Sequence, residues 1–171
     1  MREKSITMTR YKQLKRMVIK NMRIPKQVLI IPYRILSGNI EYCVFKRNDL
    51  KTWQWVAGGA EDFDKDILDA AKRELWEETH ISDVNIESLE LTTKIPVVNI
   101  VKDFLWGKNV FYAEEFAFSV DINNKDICLS KEHEEYKWVN YEEARSLLRY
   151  DSNKSALWEL NEKLTRKTNI Q

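Results

Sequence analysis

GGAEDFDKDILDAAKRELWEETHI, residues 58–81, is the stretch from which the rest of the chain can be read. Its second half has the pattern of a helix of about four turns. Ile67, Ala70, Ala71 and Leu75 recur at helical spacing and mark a core-facing side. Asp64 or Asp66 can cap the start by accepting free backbone N–H groups. Glu74 and Glu78 stand one turn apart on the core-facing side, with Glu77 beside them. Clustered carboxylates repel one another, and burial raises the cost of each charge. A divalent cation relieves both penalties, since Mg²⁺ takes hard oxygen ligands and leaves positions for water and phosphate oxygens. A solvated acidic helix face is the competing reading of the same three residues.

The stretch resembles the Nudix box, Gly-x5-Glu-x7-Arg-Glu-U-x-Glu-Glu-x-Gly-U, where U is aliphatic. Arg73, Glu74, Leu75, Glu77, Glu78 and Ile81 match its second half position by position. The first half is irregular. Counted from Gly58, Asp64 stands where the pattern has Glu, and eight residues instead of seven separate it from Arg73. Counted from Gly59, Lys65 takes the Glu position and the spacing is regular. His80 replaces the second Gly. The resemblance implies a Nudix sandwich, an α+β (α/β/α) fold in which helices flank a curved mixed sheet and the box forms loop-helix-loop. It also implies Mg²⁺, with Mn²⁺ as a substitute, held by Glu74, Glu77 and Glu78. Arg73 then orients carboxylates, with Asp64 as a shortened version of its usual Glu partner.

Composition is that of a soluble globular chain: 171 residues, 43% apolar, 32% charged and a net charge of +1. That balance gives no reason to expect nucleic-acid or membrane attraction. Cys43 and Cys128 form neither a disulfide framework nor a metal pattern and read as reduced packing residues of a cytoplasmic protein. Residues 1–24 read as a basic arm or extension: nine of the first 26 residues are Lys or Arg, against one acid, Glu3. Residues 25–168 read as a single domain.

Along that domain, Gln27–Leu36 is strand-like, and its Pro32 implies an edge or a bulge. Ser37-Gly38-Asn39 turns it into a second strand, Ile40–Lys46, with Ile40, Tyr42 and Val44 on one side and Cys43 and Phe45 on the other. Lys46 and Arg47 at its end are phosphate-contact candidates. Trp53–Val56 leads into Gly58 and Gly59, read as a loop where glycine allows φ > 0 and close approach of backbone to a ligand. Trp53 or Trp55 offers a stacking surface, although a strand Trp is more often core. Trp106 lies near the tip of an aromatic loop and is a candidate substrate wall. Phe116, Phe118 and Val120 alternate with Ala117 and Ser119 in a further strand. Tyr136–Val139 reads as the last strand, with Glu132 and His133 in the loop before it. Asn140 and Glu143 resemble a capping box, and a final helix carries a Leu157, Leu160, Leu164 stripe.

The expected activity follows from the resemblance. Family enzymes hydrolyse a diphosphate linked to another group. The SxEHxxYxW (Ser130–Trp138) and SNKSALWEL segments resemble the nucleoside triphosphate and dihydroneopterin triphosphate pyrophosphatases, which release a monophosphate and pyrophosphate. Glu74 and Glu132 are then the candidates for general base, with Glu61 and Glu114 as further carboxylates, and His133 reads as non-catalytic. The partner is a small nucleotide or pterin polyphosphate, with no nucleic acid or membrane, in a monomer or homodimer. Two alternatives remain open: a hydrolase of sugar nucleotides or dinucleoside polyphosphates, and a Nudix-fold nucleotide-binding or regulatory domain with little turnover.

Overall fold

A computed structural model describes residues 23–101 and 105–168; most of the basic arm lies outside them. The organising strand is β1, Arg23–Leu36. One edge of β1 pairs in parallel with β6 (Tyr112–Asp121), from Lys26 opposite Glu114 to Tyr33 opposite Asp121. The other edge is shared. Its first half pairs antiparallel with β4 (Val56–Glu61), and its second half with β2 (Asn39–Arg47). Strand β5 (Ile86–Pro96) extends the sheet beyond β6, while β3 (Trp53–Gln54) and β7 (His133–Val139) both pair with β2. The seven strands form one mixed sheet, split between β4 and β2.

Pro32 therefore lies in a central strand rather than at an edge. The Tyr33 carbonyl accepts from the Ile122 N–H on the β6 side. The Pro32 nitrogen, one residue earlier, faces the opposite edge, between the last β4 partner (Ile30–Val56) and the first β2 partner (Tyr33–Tyr42). The missing donor falls where the sheet opens, so it costs no ladder bond. The β1–β2 hairpin turns through Ser37 (φ 50°) and Gly38 (φ 83°), the paired positive φ values of a tight two-residue turn.

Strand alternation divides the core. Val28, Ile30, Cys43, Phe45, Val56, Phe118 and Val120 face helix α1 (Ile67–Thr79), which buries Ala70, Ala71 and Leu75 against them. Leu29, Ile31, Tyr42, Val44, Trp55 and Ala117 face α3 (Tyr141–Leu147) and α4 (Asp151–Thr168), with Leu157, Leu160 and Leu164 as the expected stripe. A four-residue helix, α2 (Val97–Ile100), follows β5. Full burial of each such aliphatic side chain stabilises by about 1.5–3 kcal/mol. Trp55 is fully buried and donates its indole N–H to the Asn153 carbonyl at 3.0 Å, so it is core and not a stacking surface.

Three further expectations change. Gly58 and Gly59 lie within β4, paired with Val28 and Gln27, and neither has a positive φ. His133 is the first residue of β7 and not part of the preceding loop. Cys43 is buried as expected, but Cys128 is exposed; both are free. No helix among the described residues is long and apolar enough to cross a membrane.

Candidate active site

Helix α1 begins at Asp66, whose side chain accepts from the Asp69 N–H at 2.8 Å. That leaves Asp64 for another task. Its carboxylate receives Arg73 through two parallel bonds, Nε to Oδ1 at 3.0 Å and Nη2 to Oδ2 at 2.9 Å, and also accepts the Glu61 N–H at 2.8 Å. The Asp64 side chain is only 4% exposed, and the guanidinium holds its carboxyl below the ordinary range. Lys65, at the strict box position, is exposed. The irregular first half of the box thus closes through a tight turn from Glu61 to Asp64, and the shorter carboxylate still reaches Arg73.

Arg73 ties the rest together. Its Nη2 also donates to the Gly59 carbonyl at 2.9 Å, and its Nη1 to Glu74 Oε1 at 2.8 Å and to Glu77 Oε2 at 3.4 Å. Glu74 is laid against β4: a Cβ on Gly58 would stand 2.0 Å from the Glu74 carboxyl carbon. The glycine is needed for space, not for φ. Burial pushes the Glu74 carboxyl up to about 7; the Arg73 contacts oppose the rise, and the Glu78 and Glu77 charges add to it.

Glu78 is buried and reaches a different element. Its Oε2 contacts Nε2 of His133 on β7, and it accepts from the Ala57 backbone on β4. One side chain therefore links β4, on one side of the split, with β7, which pairs with β2 on the other. Burial raises the Glu78 carboxyl, against the His133 contact. Glu132 precedes His133 and accepts from Arg47 Nη1 at 2.6 Å, while Arg47 also grips Asp49 through two bonds of 2.9 Å. These groups line an open groove of about 450 Å³ with Asn48 and Lys131. Lys46 lies apart: it alternates onto the Val44 side of β2, and its ammonium is held by Glu134 at 2.9 Å. Trp106 donates its indole N–H to the Arg23 carbonyl at 2.6 Å, and the Arg23 side chain covers Gly59.

The Nudix domain pattern matches residues 33–160. The chain belongs to the Nudix family. A Listeria monocytogenes structure described as a Nudix hydrolase is 40% identical and superposes with a TM-score of 0.75, covering 84% of this chain and 97% of that one. The Escherichia coli dihydroneopterin triphosphate pyrophosphohydrolase is 22% identical (TM-score 0.68, covering 81% and 97%). A Caenorhabditis elegans Ap4A hydrolase is 24% identical (TM-score 0.66, covering 83% and 98%). At those two identities the likeness is one of fold. No curated protein matches the chain. This Nudix hydrolase is an enzyme acting on phosphorus-containing anhydrides.

The donor set of this Nudix hydrolase fits a hard divalent cation. Glu74, Glu77 and Glu78 are carboxylates on one helix, two of them desolvated, with Gly58 leaving space at the first. Among the described residues no three acidic, His or Cys groups converge into a preformed cage. Glu74 and Glu77 turn to Arg73, and Glu78 to His133. His80 keeps the left-handed conformation that the replaced Gly would take, φ 57° and ψ 21°, with its N–H bonded to the Trp76 carbonyl at 2.8 Å and its ring Nδ1 3.1 Å from the Cys128 carbonyl. The helix end is preserved at a local cost of about 1–2 kcal/mol. Spacing in the sequence could not pair Glu78 with a residue 55 positions away, so the His133 contact was missed.

Proposed function

We propose that this Nudix hydrolase uses Mg²⁺, with Mn²⁺ able to substitute, to cleave a nucleoside or pterin triphosphate into the monophosphate and pyrophosphate. The observation that carries the proposal is the desolvated Glu74 carboxylate, laid over a glycine and pushed up to about 7 with Glu78 and Glu77 nearby. Such a group is costly alone and favourable beside a cation. Glu74, Glu77 and Glu78 hold the metal. When bound, it neutralises phosphate charge and lowers the pKa of the attacking water.

The remaining work falls to side chains. Arg73, clamped by Asp64, keeps Glu74 at the β4 backbone, where Gly58 leaves the space that the carboxylate fills. Glu132 or Glu74 takes the proton from water as it attacks and the α–β anhydride bond breaks. Arg47 exchanges its Asp49 and Glu132 partners for a phosphate oxygen pair, and Trp106 borders the substrate. The preference for a triphosphate rests on the resemblance of the SxEHxxYxW and SNKSALWEL segments. Asp64 holding Arg73 removes the main ground for a turnover-poor binding domain, which was the irregular box. A cytoplasmic location and a compact domain over residues 25–168 belong to the same reading.

The test is a panel of nucleoside triphosphates, dihydroneopterin triphosphate, sugar nucleotides and dinucleoside polyphosphates with Mg²⁺, products resolved by ³¹P NMR. Pyrophosphate with a monophosphate is expected, together with a loss of at least about a hundredfold in kcat for Glu77→Gln. Turnover confined to sugar nucleotides or dinucleoside polyphosphates, or full activity in folded Glu77→Gln, would contradict the proposal.

A further inference from the structure

His133 has no role in the chemistry above, yet its side chain is fully buried beside it, with an exposure of 0%. A shift in the β2–β7 register puts it there. Lys46 pairs with Glu135, but Arg47 pairs with His133, leaving Glu134 as the extra residue of a bulge. In regular register Glu134 would oppose Arg47, and His133 would point to the other face of the sheet. The bulge instead turns the imidazole inward, 5.3 Å from the Phe45 ring centroid and against Glu78. The segment before it is strapped to the end of α1: Cys128 N–H donates to the Thr79 carbonyl and Ser130 N–H to the Glu78 carbonyl, each at 3.0 Å.

The second ring nitrogen decides which way the proton lies. Nδ1 is buried and has no hydrogen-bond partner among the described residues. A proton there would be a buried donor with no acceptor. The neutral ring therefore carries its single proton on Nε2 and donates it to the Glu78 carboxylate. A protonated Glu78 donating to Nε2 would force the proton onto Nδ1 and create that orphan donor. Together with the Ala57 N–H, His133 fixes one orientation of the Glu78 carboxylate and leaves its remaining lone pairs for another ligand.

We propose that His133 is a positioning residue that orients Glu78 for the divalent cation. This rests on the metal-binding reading of Glu74, Glu77 and Glu78. Groups that orient a metal ligand commonly contribute 10–100-fold in metal affinity. His133→Phe fills the same space without a donor. His133→Gln keeps an N–H at the reach of Nε2.

The experiment is a Mn²⁺ titration of full-length protein without substrate, followed by electron paramagnetic resonance of free Mn²⁺, for wild type, His133→Phe, His133→Gln and Glu77→Gln. About a tenfold or greater loss of Mn²⁺ affinity is expected for His133→Phe, and less than about threefold for His133→Gln. Raising Mg²⁺ should recover much of the lost kcat of His133→Phe. Unchanged Mn²⁺ affinity in His133→Phe while Glu77→Gln loses it would overturn the positioning role alone. Unchanged affinity in Glu77→Gln as well would overturn the metal reading beneath it. Should His133→Phe fail to fold, ¹⁵N NMR of the wild-type imidazole decides: a protonated Nε2, a bare Nδ1 and an Nε2–H resonance that moves with Mg²⁺ support the role. A proton on Nδ1, or a resonance that Mg²⁺ leaves in place, overturns it.

Discussion

Asp64 and Glu115 show how far a residue's neighbours outweigh its place in a pattern. Asp64 breaks the box spacing by one position and still delivers a bidentate contact to Arg73, because the turn from Glu61 draws it back under the helix. Glu115 drew no notice in the sequence, where Glu114 beside it was the candidate. In the fold, Glu115 is 4% exposed and bonded to Gln27 at 3.2 Å, and burial pushes its carboxyl up from 4.5 to about 7, with Ser152 and Gln27 opposing. A carboxyl raised on folding favours the native state fully below the unfolded value and loses that favour as pH rises through the folded one. Glu115→Gln should therefore match wild type near pH 4 and become the more stable protein by pH 8, by up to about 3 kcal/mol. Urea denaturation of both proteins at the two pH values checks this. A difference that does not change with pH would show that Glu115 is not a strained carboxyl.

Among elements, helix α1 was legible in nearly every particular: its apolar face, its carboxylates and an aspartate cap. Which aspartate capped it was open in the sequence, because Asp64 and Asp66 both precede the helix and both can accept N–H groups. The structure divides their work, and the division can be measured. Asp66→Ala removes only the cap and should cost about 1 kcal/mol of stability with kcat nearly intact. Asp64→Ala removes the bidentate anchor of Arg73 and should lower kcat at least tenfold, since the guanidinium that supports Glu74 is no longer held in place. Thermal unfolding and steady-state kinetics of the two variants separate the roles; equal kinetic effects would contradict it. Strand faces were equally legible, as Tyr42 and Val44 against Cys43 and Phe45 show. The β4 glycines were not, since Gly-Gly signals a loop until the Glu74 carboxylate is seen occupying the space a side chain would take. Pro32 misled for a related reason: a central strand tolerates proline only where its neighbour on that edge changes, and no local pattern marks that place.

At the scale of the molecule, the division of β1 between β4 and β2 makes the site. The sheet parts there, α1 lies across one face, and Glu78 spans the opening to His133 while Glu74 rests on Gly58. The mixed sheet and its covering helices followed from the order of elements and the family resemblance. Contacts between distant segments, such as Glu78 with His133 and Arg47 with Glu132, carry no spacing signal and had to come from the fold. The claim on which the enzymology depends is that the α1 carboxylates receive a divalent cation beside β4. Paramagnetic broadening of backbone amide signals by substoichiometric Mn²⁺ locates the ion directly. Broadening centred on Glu74, Glu77, Glu78, Ala57 and Gly58 is the expected result; broadening centred elsewhere, or none at those residues, would contradict it.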